Sequence, residues 1–354
     1  MTALTMPARP DEDAAALRPV PWRRMAGVTW RQHRIALAGV AVLLGALAGW
    51  LWTEGTSVHH AWQAAATCTP VSSPACQDLA STFNGTWNLM GNAAIFLQLL
   101  PALIGAFVGA PVLARELETG TFRYSWTQGF GRQRWAVAKL AALAVVLAAA
   151  TGAFSVLLSW CYQPYLASGN QSLGLYGDSP LVTAFSLREV TFPAWTLAVF
   201  AVGALAGMLI RRVVPAIVAS LAVYAGLAIA AAALLRERYL TPLVTSSPNV
   251  PGTAWLLGQS WTKDGRFAFA GNPPLNLLNQ FCVFTQSPVG KGGAPTPSGN
   301  PFAQCLAPHG YTMWTSYQPA SRFWPFQWIE GGWLLALSAL LIAATIWLVR
   351  RRAA

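Results

Sequence analysis

The residues best suited to chemistry or binding lie in one short charged stretch of the sequence. Between Arg115 and Lys139 there are seven charged side chains, although only 10% of all residues are charged. They are Arg115, Glu116, Glu118, Arg123, Arg132, Arg134 and Lys139. Aromatic residues stand among them, and aromatic residues and arginine anchor protein interfaces. The stretch therefore suits a surface that a soluble partner binds. The alternative is an ordinary basic loop that holds its side of a membrane protein in place.

Motifs for catalysis and nucleotide binding are absent from the sequence. Gly290-Lys291 lacks the earlier glycine and the hydroxyl residue of a P-loop, and Gly129-Phe-Gly131 is not a dinucleotide-binding fingerprint. His59 and His60 are adjacent, but two neighbouring histidines in a loop are more often surface residues than metal ligands. We therefore expect no enzymatic activity, no cofactor and no metal site.

Six apolar segments must position the charged stretch. The sequence is 55% hydrophobic, and crossing a bilayer needs about 20 mostly apolar residues. The six segments are Ile35–Thr53, Asn92–Leu113, Trp135–Trp160, Phe192–Ile210, Val213–Leu235 and Ile329–Val349. The sequence thus predicts an all-α integral membrane protein with six transmembrane helices.

The basic residues predict the orientation of these spans. Sixteen of the 23 lie before the first span, between the second and third, between the fourth and fifth, or after the sixth. The short loops on the other side, Glu54–Gly91 and Cys161–Thr191, contain one lysine or arginine between them, Arg188. Both termini are therefore predicted to be cytoplasmic. Topology and anionic lipid account for the net charge of +11, so nucleic-acid binding is not expected.

The chain divides into four predicted regions. They are a cytoplasmic tail and interfacial helix (1–34), spans one to five (35–235), a long extracytoplasmic segment (236–328), and span six with a basic C-terminal tail (329–354). The extracytoplasmic segment is too long for a simple connector and is expected to fold as a small exported domain.

The spans carry small-residue motifs but almost no ionisable residues. Gly45-x-x-x-Gly49, Gly105-x-x-x-Gly109 and Gly203-x-x-x-Gly207 indicate close helix contacts, without showing which helices meet. Ionisable residues are confined to span edges, as at Glu330. This pattern disfavours a proton-coupled transporter or an ion pump, which needs such groups within the membrane.

The cysteines fit an oxidising outer compartment. Cys68 and Cys76 share the first outer loop, and Cys282 and Cys305 share the last one. Pairing within each loop is reasonable, although four cysteines allow three pairings.

The charged stretch also has a predicted local shape. The second span continues past Leu113 to Thr119, and Gly120 is placed to end the helix as a C-cap. Phe122–Gln128 then presents aromatic and polar residues, and Gly129 and Gly131 interrupt the chain before the third span. The result is an elbow that projects an aromatic-rich knob into the cytoplasm.

At these residues the sequence resembles the membrane subunit of ABC-type exporters, the type-2 permease family, particularly its actinobacterial branch. The resemblance rests on Arg115-Glu-x-Glu-x-Gly-Thr121, Arg132-x-x-Trp135, Lys139 and the lead-in Trp30-Arg-Gln-His-Arg34. The six-span layout extends it over nearly the whole chain. The family often has a proline in the turn before the arginine that corresponds to Arg132. This chain has Gly129-Phe-Gly131 at that place.

The resemblance implies an ATP-driven exporter in the plasma membrane of a bacterium, with ATP hydrolysis in a separate ABC ATPase subunit. Residues of the elbow that the family motif covers are Arg115, Glu116, Glu118, Gly120, Thr121 and Arg132, and the implied contact surface includes Phe122 and Trp126. Six spans make half a transporter, so a second permease chain, identical or different, is expected in the lipid bilayer. The alternative is a non-transporting membrane sensor or assembly scaffold that binds through its extracytoplasmic segment.

Overall fold

The structure is a computed structural model that describes residues 22–70, 73–120, 132–167, 179, 181–182, 184–247, 250–282 and 301–351. Its α-helices are α1 (Trp22–Ala66), α2 (Pro74–Leu97), α3 (Leu100–Thr119), α4 (Arg132–Ala167), α5 (Thr191–Ile210), α6 (Val213–Ala230), α7 (Leu275–Phe281), α8 (Pro301–Leu306) and α9 (Phe323–Arg351). Six crossings are long and apolar enough to span a membrane, α2 and α3 together forming the second. The prediction of six membrane-spanning helical segments is confirmed.

The region Glu54–Gly91 is mostly helical, which corrects the expectation of a loop. Helix α1 continues to Ala66, and α2 begins at Pro74 after a short turn. The Ser73 side chain caps α2 by accepting a hydrogen bond from the backbone N–H of Cys76 at 3.2 Å. Proline at the first helical position favours this start, since its missing N–H would have no partner in the helix.

A heptad pattern explains why both helices extend beyond the apolar spans. Buried residues recur every seven positions, at Leu37, Leu44, Leu51, Val58 and Ala65 of α1 and at Cys76, Phe83, Met90 and Leu97 of α2. Helix α4 buries residues at steps of three or four, at Leu140, Leu143, Leu147, Thr151, Phe154, Leu158, Cys161 and Tyr165. This spacing is the coiled-coil repeat. Since it needs only one apolar stripe, polar residues on the other faces do not end the helices.

Helices α3 and α5 have the most extensive contact of any helix pair among the described residues. Glycine residues allow the two helices to approach so closely. A Cβ atom added to Gly207 would lie 2.6 Å from the Ala110 carbonyl oxygen, and one added to Gly203 would lie 2.8 Å from the Ala110 nitrogen. On α3, Gly105 and Gly109 face Phe200 in the same way. The motifs of the second and fourth spans therefore pack against each other, as small residues allow in membranes.

Residues 243–318 add a four-stranded antiparallel sheet to the helical bundle. Its strands are β1 (Leu243–Thr245), β2 (Trp255–Lys263), β3 (Arg266–Ala270) and β4 (Tyr311–Gln318), in the order β1-β4-β2-β3. Asp264 and Gly265 both have positive φ, which is the requirement of a tight hairpin turn between β2 and β3. Trp261, Met313, Leu278 and Leu306 form a core between one sheet face and helices α7 and α8.

Candidate functional site

The charged stretch joins α3 to α4. Arg115, Glu116 and Glu118 lie on the last turns of α3, and Arg132 is the first residue of α4. Thr121, Phe122 and Trp126 belong to residues 121–131, which lie outside the described residues. The structure therefore defines both ends of the elbow and the contacts that its two ends make with the bundle.

Helix α3 ends at the glycine that the sequence predicts. Gly120 is the C-cap residue and has φ = 71°, in the left-handed region that glycine enters without steric cost. The Thr119 hydroxyl donates a hydrogen bond to the Arg115 carbonyl oxygen at 2.8 Å, within the last turn. The predicted C-cap is confirmed.

Glu116 is bound to the start of α4. Its Oε1 atom accepts a hydrogen bond from Lys139 Nζ at 2.6 Å, and the same ammonium donates to the Val112 carbonyl oxygen at 2.9 Å. The side chains of Lys139 and Glu116 are only 2% and 14% exposed. Removing one partner of such a buried pair leaves an uncompensated charge, which costs about 3–5 kcal/mol. The pair therefore fixes the end of α3 to α4.

Glu118 is bound to the start of α6. Its Oε2 atom accepts a hydrogen bond from the backbone N–H of Val213, the first residue of that helix, at 3.3 Å. The N-cap residue Arg212 makes no side-chain capping bond, so Glu118 supplies the acceptor. A carboxylate at this place is also favoured by the helix dipole. The two acids of the motif thus connect α3 with two different helices.

A second polar cluster lies at the opposite end of the bundle and surrounds Glu330, which is 0% exposed. The Arg236 guanidinium donates to both Glu330 carboxylate oxygens, at 2.9 and 3.1 Å. The Trp195 indole donates to Oε1 at 3.0 Å and the Tyr239 hydroxyl to Oε2 at 3.2 Å. Four donor contacts satisfy this carboxylate and join α5 and α9 to residues 236–239, which follow α6.

This cluster corrects the expectation that ionisable residues lie only at span edges. Sequence hydropathy places Glu330 beside the start of a span, because the preceding residues are aromatic and proline-rich. In the structure α9 already begins at Phe323, so Glu330 lies two turns inside a helix and is buried. The sequence does contain a sign of this burial. Arg236 directly follows the fifth apolar segment, so it could form an ion pair with Glu330 at the start of the sixth.

Arg188 is a further buried cation near this end. Its guanidinium carbon lies 4.5 Å from the Phe323 ring centroid, and its Nε and Nη1 atoms make no hydrogen bond within the described part of the chain. Burial lowers the pKa of Arg188 to about 10, partly offset by the nearby Glu189 carboxylate. Removing a guanidinium from water with so few partners is unfavourable.

A family model described as "ABC-2 membrane transporter related" matches residues 40–236 of the chain. The chain belongs to this family. No curated protein and no solved structure matches it. The matched region of this ABC-2 type permease runs from within the first crossing almost to the end of the fifth, and it includes the whole charged stretch.

The ABC-2 type permease has two disulfides within its described residues. Cys68 is bonded to Cys76 in the turn between α1 and α2, and Cys282 is bonded to Cys305 between α7 and α8. Both bonds join cysteines of the same predicted outer segment. The fifth cysteine, Cys161, is a buried thiol that donates to the Leu51 carbonyl oxygen at 3.2 Å.

Proposed function

We propose that this ABC-2 type permease is the membrane-spanning subunit of an ATP-driven exporter in the plasma membrane of a bacterium. A separate ABC ATPase binds the elbow 120–131 on the cytoplasmic side, with Phe122 and Trp126 as its main contacts. A second permease chain, identical or different, completes the transporter, and ATP is hydrolysed only by the ATPase subunits.

One observation carries this proposal: both acids of the elbow motif are anchored in the bundle. The Lys139–Glu116 ion pair joins the elbow to α4, and the Glu118–Val213 bond joins it to α6. Because α3 also packs closely on α5, a displacement of the elbow reaches three helices at once. Packed helices joined by ion pairs and hydrogen bonds can carry energetic coupling between distant sites.

Within the elbow we assign different roles to different residues. Glu116 and Glu118 hold the elbow in position, while Thr121, Phe122 and Trp126 of the intervening segment form the surface that the ATPase touches. Arg115 and Arg132 stand at the two ends of this surface. Binding and transmission are thus assigned to different residues and can be separated by mutation.

Co-purification and efflux assays test this separation. Phe122→Ala with Trp126→Ala should abolish co-purification of the ATPase, whereas Glu116→Gln should retain the ATPase and reduce ATP-driven efflux. Gln133→Ala is the matched control, since this exposed residue lies beside Arg132 and is not part of the family motif. If the aromatic double variant kept both the ATPase and full efflux, the contact assignment would be wrong.

A second candidate function is a sensor or scaffold that does not transport. It is favoured by the folded sheet of residues 243–318, which has its own apolar core and disulfide. In that case an intact complex with the ATPase would hydrolyse ATP without moving any compound across the membrane. Deleting the sheet would then abolish binding of the partner that the extracytoplasmic segment recognises, whereas the elbow variants would still bind it.

A further inference from the structure

An open cavity of about 670 Å³ lies beside the elbow, between α1, α3 and the start of α4. Residues of all three helices line it, among them Gln32, Ile35, Ala36, Phe107, Arg115 and Lys139. Helix α1 packs mainly on α4 and only weakly on α3. The cavity therefore opens sideways between two membrane-spanning helices.

The cavity has a polar end and an apolar end. Its polar lining comes from the beginning of α1 (Gln32, His33) and the end of α3 (Arg115, Thr119). Because consecutive crossings run in opposite directions, these segments lie at the same end of the bundle. The apolar lining includes Ile35 and Phe107, which are 82% and 54% exposed. Large exposed apolar side chains in a membrane-spanning helix face lipid, so the apolar end opens toward the bilayer.

The polar end carries a positive charge that has no ion-pair partner among the described residues. The Glu116 carboxylate is already bound by Lys139, so this buried pair is neutral. The Arg115 guanidinium is exposed and forms no ion pair within the described ranges of the chain. Arginine binds phosphate through parallel N–H donors. An anionic group in the cavity would thus meet an available guanidinium.

We propose that this cavity binds an anionic phospholipid of the adjacent leaflet, which is the cytoplasmic one in the orientation proposed above. The headgroup phosphate lies against Arg115, and an acyl chain leaves past Ile35 and Phe107. A free phosphate would leave the apolar half of the cavity unused. Basic pockets between membrane helices are suited to such headgroups.

Native mass spectrometry of the purified full chain tests the proposal by titration with phosphatidylglycerol. Arg115→Gln should weaken binding of this lipid about tenfold, since a charge-assisted hydrogen bond is lost. Arg31→Gln is the matched control, because it removes an exposed charge at the same end of α1 from outside the cavity. If both variants weakened phosphatidylglycerol binding equally, the lipid would be attracted by the positive charge of this end in general and not by the cavity. That result would overturn the proposal.

Two further experiments test where the lipid binds and whether a free phosphate ester binds at the same site. Ala36→Phe should also weaken phosphatidylglycerol binding about tenfold by filling the apolar half, with Arg115 still present. Unchanged binding in this variant would place the lipid elsewhere and overturn the proposal. Glycerol phosphate should not displace the lipid at equal concentration. If it did, the cavity would be a site for free phosphate esters. These readouts need neither the ATPase nor transport, so they are independent of the proposed function.

Discussion

Single buried ion pairs connect the helices of this protein at both ends of the bundle. Lys139–Glu116 lies beside the elbow, and Arg236–Glu330 lies where α5, α6 and α9 meet. The Glu330 carboxylate accepts hydrogen bonds from Arg236, Trp195 and Tyr239 and is fully buried, whereas Glu116 accepts from Lys139 and is 14% exposed. Removing one member leaves its partner charged in surroundings of low dielectric constant, which is far costlier than losing an exposed pair.

Glu330→Gln is expected to lower the free energy of unfolding by about 3 kcal/mol, because the Arg236 guanidinium loses its buried counter-charge. Thermal unfolding of the purified protein in detergent measures the change. Glu237→Gln removes an exposed carboxylate next to Arg236 and should leave the unfolding temperature unchanged. The double variant Arg236→Met, Glu330→Met should lie closer to the wild type than Glu330→Gln alone. If it were the less stable, desolvation would not explain the effect.

Arg188→Met is expected to leave stability unchanged or to raise it by about 1 kcal/mol, the opposite direction from Glu330→Gln. The reason is that the buried guanidinium has two nitrogen atoms without hydrogen-bond partners in the described structure, and methionine keeps most of its apolar contact with Phe323. The same thermal unfolding measurement applies. A clear loss of stability would show that Arg188 has an essential anionic partner.

The helices themselves were largely predictable, but their lengths and contacts were not. Apolar runs of membrane length predict the six crossings, and the basic clusters predict an orientation that the last prediction below tests. The extension of α1 to Ala66 was missed because it carries Glu54 and two histidines. Its signal is the heptad series through Val58 and Ala65, which a count of apolar residues does not detect.

Two other features depend on contacts between distant parts of the chain. Three glycine motifs have the same spacing, and only the packed structure distinguishes the pair that meets from Gly45-x-x-x-Gly49. The sheet of residues 243–318 pairs β4 with β2 across more than one intervening element, so no local pattern specifies its order. Likewise, the roles of Glu116 and Glu118 follow from Lys139 and Val213, whose positions depend on the folded bundle.

Gly207→Ala should destabilise the protein by about 1–3 kcal/mol, because a methyl group there would overlap the Ala110 carbonyl oxygen of α3. Gly45→Ala is the matched control, since no described atom lies within 4 Å of its added Cβ and alanine favours the helix. Unfolding of both variants in detergent separates the effects. Equal responses would mean that α3 and α5 do not approach each other through these glycines.

The double variant Cys282→Ser, Cys305→Ser should loosen the sheet unit while leaving the helical bundle intact. Closing the chain between these cysteines contributes about 3 kcal/mol in the loop-entropy model, and the bond lies beside the small core around Trp261. Hydrogen exchange should therefore rise in β2 and β4 and stay unchanged in α3 and α5. Faster exchange throughout the chain would contradict the separate core.

At the scale of the whole molecule, the ion pairs between described residues lie at the two ends of the bundle. The elbow contacts lie where α3 ends and α6 begins, and the Glu330 cluster lies where α5 and α9 begin. Between them α3 and α5 are held together by glycines with little space for a polar path. In the proposed exporter, this distribution favours a substrate route along the outside of the chain, at the contact with the proposed second permease, over a route through its centre.

The orientation of the whole chain gives the last prediction. With most basic residues on the elbow side, Arg134 should face the cytoplasm and Arg266 of β3 should face the outside. Each is exposed, and the described native cysteines are disulfide-bonded or buried, so a cysteine introduced at either position is the group that a thiol reagent reaches. A membrane-impermeant maleimide should label Arg266→Cys in intact cells, whereas Arg134→Cys should be labelled only after permeabilisation. The reverse pattern would place the elbow outside, beyond reach of a cytoplasmic ATPase, and would contradict the proposed exporter.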